Sequence, residues 1–437
     1  MRLNTQVKDF LTQHLQSFST KPTLRLGLSG GVDSCVLLAS LVELQKSLDF
    51  NLEAMHVHHG LSPNADHWSE FCAKTCIGYG VPLEVVKVNV DKASGLGIEA
   101  SARVARYQAL LSGNVDYVVL AHHQDDQAET FLLQLLRGAG LKGLSAMAEA
   151  DLQRRLLRPL LNISRQEIEH YAKVAQLDWI EDESNLDVDF DRNYCRHEIL
   201  PVIQKRYPAA NQTLARSAAH IAEASELLDD LASLDAQVGI ESGCLNIEVL
   251  TALSVPRAKN LLRWWLASNG FAMPSKERLA DMLIQLCQAQ SDATMKITLG
   301  DAQIRRYQGM AYIEYKSGLS AQPIAMIWQG EAELIMPDGS KLLFERKQGL
   351  GLAIDRLGGH KLRIASRKGG EKFKPDLARP TRTLKYLLQQ ANVAPWLRER
   401  MPLIYLNDTL AVVPNVGVSC LMQAAEKEMG LVITWQA

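Results

Sequence analysis

Long apolar runs are scarce in this chain of 437 residues. The longest, such as residues 117–121, fall far short of the roughly 20 residues that a helix needs to cross a bilayer. The N-terminus also lacks an apolar stretch of signal-peptide length, and instead spaces Val7, Phe10, Leu11 and Leu15 along one helical face. We therefore expect a structured first helix, no membrane span and a cytoplasmic location.

Cysteine is also scarce, with seven residues scattered along the chain at no disulfide-like density. An odd and sparse set is typical of a protein in a reducing compartment, so we expect seven free thiols. Cys72 and Cys76 are separated by three residues, a spacing that suits one helix face better than a metal knuckle. No second pair follows them, so a metal site at this pair is disfavoured.

The net charge is only −2, but its distribution is uneven. Residues 361–400 carry eleven Lys or Arg against three acids, whereas the rest of the chain carries 36 basic and 46 acidic residues. A basic block in an otherwise acidic protein indicates a polyanion-binding surface. A solvated lysine-rich face has the same composition, and charge alone leaves both alternatives open.

The length favours two to four domains of about 100 to 200 residues each. The first 200 residues alternate short apolar runs with longer amphipathic segments, which predicts βα units and an open parallel sheet. The predicted strands are residues 23–28, 52–57, 83–90 and 117–121, and the predicted helices are residues 36–45, 68–78, 98–111 and 129–136. Ligands of such sheets bind beyond the carboxyl ends of the strands, so we expect the chemistry in the loops that follow them.

The pattern changes after residue 210. We predict a long helix at 211–238, helices at 256–270 and 274–288, strands at 294–299 and 303–315, a linker at 317–323, a helix at 381–391 and a strand pair at 403–413. The predicted domains are a catalytic domain at 1–210, a helical and α+β domain at 211–317, and a basic C-terminal domain at 324–437.

The most specific motif joins the first predicted strand to the helix that follows. It comprises Ser29, Gly30, Gly31, Val32, Asp33 and Ser34. Glycines without side chains let successive backbone N–H groups point at an anion at a helix N-terminus, and the serines add hydroxyl donors. No lysine lies between the glycines and the helix, so a Walker loop is disfavoured, and the spacing also fails the dinucleotide fingerprint. A glycine-rich turn with an Asp cap is the purely structural alternative.

Three further segments end strands or begin helices. His56, His58 and His59 lie at the end of the second strand, but alternating strand residues point to opposite faces, which disfavours zinc. Residues 98–107 predict a helix on which Glu99, Arg103 and Arg106 lie close together, as they also would on an ion-paired surface helix. Asp126 and Glu129 are spaced to face one ligand beyond the fourth strand, although acids in a first helical turn often only complement the helix dipole.

The SGGVDS loop resembles the SGGxDS signature of the PP-loop ATP pyrophosphatases, which split ATP between the α and β phosphates. Together with the segments HVHHGLS, GIEA, GLSAM, RPLL, WIEDESN and DRN, it closely resembles the tRNA(Ile)-lysidine synthetase family over nearly the whole chain. The resemblance implies an open, mostly parallel α/β domain with helices on both faces, like that of the adenine nucleotide alpha-hydrolases. A helical α+β middle domain and a small α+β C-terminal domain would follow it.

The resemblance also implies an activity. ATP would adenylate C2 of the first anticodon cytidine of a tRNA(Ile) with a CAU anticodon, and the ε-amine of L-lysine would then attack, so that AMP and pyrophosphate are released. Residues 29–34 would hold the pyrophosphate portion, Asp33 would lie near Mg²⁺, and Met55 and His56 would form the adenine pocket. Asp126 and Glu129 would contact lysine, with Arg103, or alternatively Arg106, pairing its carboxylate. A homodimer is compatible with the sequence.

Three other functions stay open. A PP-loop tRNA thiolation enzyme also adenylates a base, but such enzymes usually need a paired-cysteine motif, which this sequence lacks. An amidotransferase-like ligase would not need the basic C-terminal block. A non-catalytic RNA-binding protein would not need Asp33, Asp126 and Glu129 together.

Overall fold

The computed structural model describes residues 2–60, 62–89, 98–288, 295–315 and 324–436, without the side chains of Ile98, Glu99 and Ser184. The chain divides into two compact units, Met1–Leu228 and Asp229–Ala437. The predicted linker 317–323 and the predicted grouping of Glu99 with the two arginines therefore lie outside the described part. The bounds of the three predicted domains stay a prediction.

The first unit alternates strands and helices, as predicted. Its elements are α1 Arg2–Leu15, β1 Thr23–Gly27, α2 Val32–Leu44, β2 Asn51–His58, α3 Ala65–Tyr79, β3 Leu83–Lys87, α4 Ile98–Leu110, β4 Tyr117–Val119, α5 Gln124–Leu136, α6 Leu141–Leu144, β5 Ala150–Asp151, β6 Leu156–Leu157, α7 Arg165–Val174, α8 Asp191–Tyr194 and α9 Leu200–Arg206. A 3₁₀ turn, Glu183–Leu186, precedes α8, and a π-helix, Cys195–Ile199, links α8 to α9.

The sheet of this unit has the strand order β3-β2-β1-β4-β6-β5. Every neighbouring pair is parallel except β5 and β6, so the predicted α/β class with a mostly parallel sheet is confirmed. β1 is central, and its Leu24 and Leu26 are fully buried, as expected for a strand covered by helices on both faces. The carboxyl ends of β1, β2 and β4 lie side by side, and the loops that follow them carry the predicted site residues.

A 30-residue helix, α10 Ala210–Gly239, crosses the boundary between the two units. The next elements of the second unit are β7 Ile240–Glu241, β8 Cys244–Asn246, α11 Ile247–Ala252, α12 Val255–Ser268, α13 Lys276–Gln288, β9 Lys296–Leu299, β10 Ala302–Tyr307 and β11 Met310–Tyr315. These strands form one sheet in the order β7-β8-β11-β10-β9, and Trp265 is buried beneath it with its indole N–H donating to the Gly243 carbonyl at 2.9 Å. Trp265 is therefore a core residue.

A second hydrophobic core of this unit lies further along the chain. Its elements are β12 Ala325–Ile327, β13 Glu333–Ile335, β14 Lys341–Gln348, β15 Leu352–Ala353, β16 Leu362–Ala365, β17 Lys372–Phe373, β18 Arg382–Thr383, α14 Leu384–Gln390, α15 Pro395–Arg400, β19 Leu403–Leu406, β20 Thr409–Val413, β21 Gly417–Val418 and β22 Met429–Gln436. The strands form sheets in the orders β12-β16-β19-β20-β21, β13-β14-β22-β15 and β17-β18. The helix predicted at 381–391 corresponds to α14, and the strand pair predicted at 403–413 corresponds to β19 and β20. Within the described residues, no helix is both long and apolar enough to span a bilayer.

Candidate active site

The predicted phosphate loop joins β1 to α2, and the helix begins inside the motif, at Val32. Gly31 is the N-cap and no side chain caps the helix, so the first N–H groups of α2 stay open to an anion. The loop amides make long bonds instead: the Gly30 N–H donates to Ser34 Oγ at 3.2 Å, and the Gly31 N–H donates to Ser29 Oγ at 3.3 Å. A phosphate oxygen can replace these weak acceptors, so the loop fits a phosphate group.

The two glycines of the loop have different backbone conformations. Gly30 has φ +89°, which favours glycine, whereas Gly31 has φ −70° and ψ 160°. A Cβ at Gly30 would lie 2.7 Å from Ile180 Cδ1 and 3.3 Å from Cys72 Sγ. The loop is tied to that segment, because the Ile180 N–H donates to the Gly30 carbonyl at 2.9 Å. Of the two, only Gly30 requires glycine on conformational grounds.

Asp33 lies in the first turn of α2 and is half-buried. Arg165 Nη1 donates to its two oxygens at 2.8 and 2.6 Å. Burial raises the pKa of Asp33, because it outweighs the lowering by His123 and Arg165. Burial on its own lowers the pKa of Arg165, but Asp33 raises it overall. The two short contacts identify Arg165 as the charged partner of Asp33.

His123 connects the phosphate loop to α5. Its Nδ1 accepts from the Asp125 N–H at 3.3 Å, which assigns the ring proton to Nε2. That atom lies 3.6 Å from Asp33 Oδ1 and 3.5 Å from Asp126 Oδ2. Asp33, which is predicted to lie beside the phosphates, and Asp126, which is predicted to contact the lysine, are thus both neighbours of the His123 imidazole.

Asp126 and Glu129 face the same two arginines, Arg192 and Arg196. Arg192 donates from Nη2 to Asp126 Oδ1 at 2.9 Å and from Nε to Glu129 Oε2 at 2.8 Å. Arg196 donates to Glu129 Oε1 at 2.6 Å, to Glu129 Oε2 at 3.0 Å and to Asp126 Oδ1 at 3.4 Å. Burial on its own raises the pKa of Asp126, but His123 and Arg192 lower it well below its usual range. Both Glu129 oxygens are occupied, and its side chain is 2% exposed.

The two arginines come from a short irregular helical segment, in which α8 carries Arg192 and the π-helix Cys195–Ile199 carries Arg196. The four-residue spacing brings both guanidinium groups to α5. Wide turns of this kind occur often at functional sites. The Asn193 side chain donates to the Asp187 carbonyl at 2.8 Å and so ties the preceding loop to α8.

A cavity of about 620 Å³ lies beside these groups. Its lining includes His56, His58 and His59 at the end of β2, Arg103 and Arg106 on α4, His122, Asp126, Arg192 and Arg196. Met55 is buried in a hydrophobic cluster and does not line this cavity, so its role in an adenine pocket stays a prediction. His56 does line the cavity, and its Nδ1 lies 2.9 Å from the Leu28 carbonyl oxygen. Another cavity of similar size, about 680 Å³, lies at α1 and α7, away from the predicted site residues.

Three cysteines lie under the loop without forming a reactive site. Burial raises the pKa of the Cys35 and Cys72 thiols to about 12 and that of Cys76 to about 11. They therefore stay protonated near neutral pH, which disfavours a sulfur-transfer role. Among the described residues, no group of three or more His, Cys, Asp or Glu side chains could hold a metal ion.

In the second unit, the arginines and tyrosine of β10 are engaged within the protein. Arg305 pairs with Glu314 at 2.6 Å and its guanidinium carbon lies 5.0 Å from the Trp396 ring centroid. Arg306 Nη1 donates to the Leu286 carbonyl at 2.8 Å. The Tyr307 hydroxyl accepts from Arg398 at 2.8 Å, and its ring packs edge-on against Trp396. These residues form a joint between β10 and α15.

Other basic side chains of residues 361–400 are exposed. These are Lys361, Arg363, Lys368, Lys372, Arg379, Arg382 and Lys385. The Arg382 guanidinium carbon lies 5.4 Å from the ring centroid of Tyr386, which is 50% exposed. An exposed ring among cations can stack on a base and contact phosphates.

The sequence patterns gave no role to Arg165 or His123, and Arg192 appeared only within the DRN segment of the resemblance. Arg165 follows a Ser164 and Glu167 capping box, a sequence pattern that could have located the start of α7. Nothing local to Asp33 identifies its partner, because 132 residues separate the two.

Comparisons with known proteins agree with this organisation. Models described as PP-loop domain, TilS substrate binding domain and TilS substrate C-terminal domain match residues 2–203, 245–312 and 362–435. The chain is 43% identical over 420 residues to a tRNA(Ile)-lysidine synthase of Nitrosomonas europaea, covering 94% of this chain and 91% of that protein. It is 42% identical to the tRNA(Ile)-lysidine synthase of an Azoarcus species, covering 96% and 94%.

Among solved structures, the chain is similar to the U34-tRNA thiolase NcsA of Methanococcus maripaludis, with 20% identity, a TM-score of 0.44 and coverage of 51% of this chain and 79% of that one. This likeness is too low to bear on function. With 42–43% identity across 94–96% of its length, and with all three domain models matched in order, this chain belongs to the tRNA(Ile)-lysidine synthase family.

Proposed function

We propose that this protein uses ATP to join L-lysine to C2 of the first anticodon cytidine of a tRNA(Ile) with a CAU anticodon. In the first step, the C2 oxygen attacks the α-phosphorus of ATP and pyrophosphate leaves. In the second, the lysine ε-amine attacks C2, loses its proton, and expels AMP together with that oxygen. The C2 oxygen is a poor leaving group until it carries AMP.

One observation carries this proposal: His123 Nε2 lies within 3.6 Å of both Asp33, in the phosphate loop, and Asp126, which lines the 620 Å³ cavity. A two-step transfer needs the nucleotide and the amine beside one reacting carbon, because positioning supplies much of the rate. Neither the phosphate loop alone nor Asp126 alone would distinguish this reaction from simple ATP binding.

For the first step, Ser29, Gly30, Gly31 and Ser34 would hold the pyrophosphate portion, with the open N-terminus of α2 behind them. Mg²⁺, which relies on phosphate oxygens and few carboxylates, would supply charge neutralisation there, and Asp33 fits it as a single protein ligand. Arg165 holds the Asp33 carboxylate through a contact of 2.6 Å. His56 would contribute to the adenine pocket, and Met55 would support it from the core.

For the second step, Asp126 would attract the lysine ammonium, because its lowered pKa keeps it ionised at neutral pH. The same low basicity makes it a weak acceptor of the proton that the amine must lose. Glu129 would act through Arg192 and Arg196, whose positions it fixes with both oxygens. Arg103 or Arg106 would pair the lysine carboxylate.

The tRNA would be held by the exposed basic residues of the C-terminal segment, including the Arg382 and Tyr386 pair. Lysines and arginines that contact phosphates make binding strongly dependent on salt. The homodimer stays a prediction, and light scattering of the purified protein would test it.

The experiment follows label from radioactive lysine into tRNA. We expect incorporation only when ATP, lysine and a CAU-anticodon tRNA(Ile) are all present, with one AMP and one pyrophosphate per lysine. Label that enters without ATP, or ATP that loses only its terminal phosphate, would refute the proposal. Asp33→Ala should abolish adenylation, with Asp49→Ala as the matched surface control, since the Asp49 side chain is mostly exposed and pairs with Lys21 at 3.2 Å.

A further inference from the structure

A chain of hydrogen bonds connects the phosphate loop to the start of α10. Arg165 Nη1 donates to both oxygens of Asp33, at 2.8 and 2.6 Å, and the Arg165 backbone N–H donates to Asp125 Oδ1 at 3.3 Å. The other oxygen of that carboxylate, Asp125 Oδ2, accepts from Asn211 Nδ2 at 2.9 Å. Arg165, Asp125 and Asn211 are not among the residues that line the 620 Å³ cavity. They are therefore placed to act on Asp33 rather than on a molecule in that cavity.

Asp125 contacts both of the residues that face Asp33. Its carboxylate accepts from the first N–H of α7, the helix whose first residue is Arg165. Its backbone N–H donates to His123 Nδ1 at 3.3 Å, which leaves the ring proton on Nε2, 3.6 Å from Asp33 Oδ1. The positions of the guanidinium and of the imidazole N–H that face Asp33 therefore both depend on Asp125.

The Asn211 amide is held from one side only. Its Nδ2 donates to Asp125, whereas its Oδ1 is buried and has no hydrogen-bond partner among the described residues. An ionised carboxylate can only accept, so the amide cannot turn around without setting its oxygen against Asp125. A buried acceptor without a partner is destabilising, and an alanine at this position would avoid that cost. The contribution of the amide is therefore its bond to Asp125.

We propose that Asp125 and Asn211 are positioning residues for the adenylation step. Asn211 fixes the Asp125 carboxylate, which fixes the start of α7 and so the Arg165 guanidinium on Asp33. The inference rests on the proposed function and extends it to α10, which continues from Asn211 into the second unit. Reaction rates are sensitive to such remote contacts, because a misplacement of about 1 Å costs roughly 100-fold.

Exchanging the two side chains tests the bond between them. Asn211→Asp sets two carboxylates against each other, and they repel. Adding Asp125→Asn restores one donor and one acceptor across the contact, keeps an acceptor for the Arg165 N–H and returns the net charge to its original value. Asp125→Asn alone should have the smaller effect, because Asn211 can then turn its amide. Gln212→Asp is the matched control, because it adds the same charge to the same turn of α10 at an exposed side chain.

The activity measured is the transfer of AMP from α-labelled ATP to the CAU-anticodon tRNA(Ile) by the full-length protein, without lysine, at pH 8. We expect Asn211→Asp to lower kcat roughly tenfold, the double variant to recover to within about threefold of the wild type, and Gln212→Asp to change kcat by less than about twofold. In the complete reaction, KM for lysine should change by less than about twofold in every variant, because Asp126 is held by His123 and Arg192.

A second measurement does not depend on activity. Hydrogen exchange of residues 30–36, read by mass spectrometry, reports the opening of the phosphate loop and of the first turn of α2. It should become faster in Asn211→Asp, return toward the wild-type rate in the double variant and stay unchanged in Gln212→Asp.

The remaining outcomes overturn either the network or the activity. The positioning role fails if Asn211→Asp slows adenylation no more than Gln212→Asp does, or if Asp125→Asn does not reverse the slowing. It also fails if the lost activity matches a loss of folded protein, measured by near-ultraviolet circular dichroism. Wild-type protein that places no AMP on the tRNA refutes the proposed function, and hydrogen exchange of residues 30–36 then still decides whether the network reaches the loop.

Discussion

Replacing Glu129 by Gln removes the negative charge that holds two arginines against α5, and the structure sets the size of the effect. Glu129 is 1% exposed and accepts three hydrogen bonds from Arg192 and Arg196, at 2.6 to 3.0 Å. Removing one partner of a fully buried ion pair costs about 3–5 kcal/mol. The arginine side chains are 25% and 34% exposed and Gln keeps one acceptor oxygen, so solvent screening reduces the expected loss to about 2 kcal/mol.

Hydrogen exchange read by mass spectrometry suits this prediction, because it reports the local opening free energy of α5 and of residues 191–206 without assuming that two units unfold together. Asp191→Asn is the control: Asp191 precedes Arg192, pairs with Arg137 at 2.9 Å and is 72% exposed, so we expect a loss below about 1 kcal/mol. The reasoning is refuted if Glu129→Gln lowers the opening free energy no more than the control does. It is also refuted if Glu129→Gln and Arg196→Gln are additive, since paired groups should show a coupling of about 0.5–3 kcal/mol.

Three further predictions address the loop, the joint and the thiols. Gly30→Ala should lower the melting temperature and raise KM for ATP, because alanine at φ +89° costs about 1–2 kcal/mol, whereas Gly31→Ala at φ −70° should have little effect on the melting temperature. Trp396→Ala should lower the free energy of unfolding by about 3 kcal/mol, because the residue is 6% exposed and its ring lies against Arg305 and Tyr307. Hydrogen exchange in residues 302–315 should become faster, and unchanged exchange there would exclude the joint between β10 and α15. Cys35 and Cys72 should resist alkylation of the native protein at pH 8, as seen by peptide mass spectrometry, because their pKa lies at about 12; rapid labelling would contradict their burial.

Much of the first unit could be predicted from sequence because its structure follows from local patterns. The alternation of apolar runs with amphipathic segments identified β1 to β4 and the helices between them. The loop SGGVDS was placed correctly because a strand must end and a helix must begin around it. The helix starts were less accurate: α2 begins at Val32 and α5 at Gln124, each four or more residues before the predicted start, because polar first turns weaken the apolar periodicity.

The rest of the site depends on contacts that no local pattern encodes. Arg165 reaches Asp33 across 132 residues, and Arg192 reaches Glu129 across 63. The segment that carries Arg192 and Arg196 has a short helix and a π-helix, neither of which follows from a 3.6-residue period. Its position depends on ion pairs with α5 rather than on an apolar stripe, so hydrophobic periodicity could not reveal it.

The same contacts explain why the acids of α5 could be named from sequence while their roles could not. Asp126 and Glu129 are three residues apart and both reach the arginines, yet only Asp126 lines the cavity. Asp126 is held from its own helix start by the His123 N–H at 3.0 Å and from outside by Arg192 at 2.9 Å. Its orientation therefore depends on contacts from its own helix start and from α8, whereas Glu129 is held by the two arginines. A substitution at Glu129 should displace Arg192 first and disturb Asp126 only through it, so an effect on lysine use would follow from the loss of this pairing rather than from a lost contact with substrate.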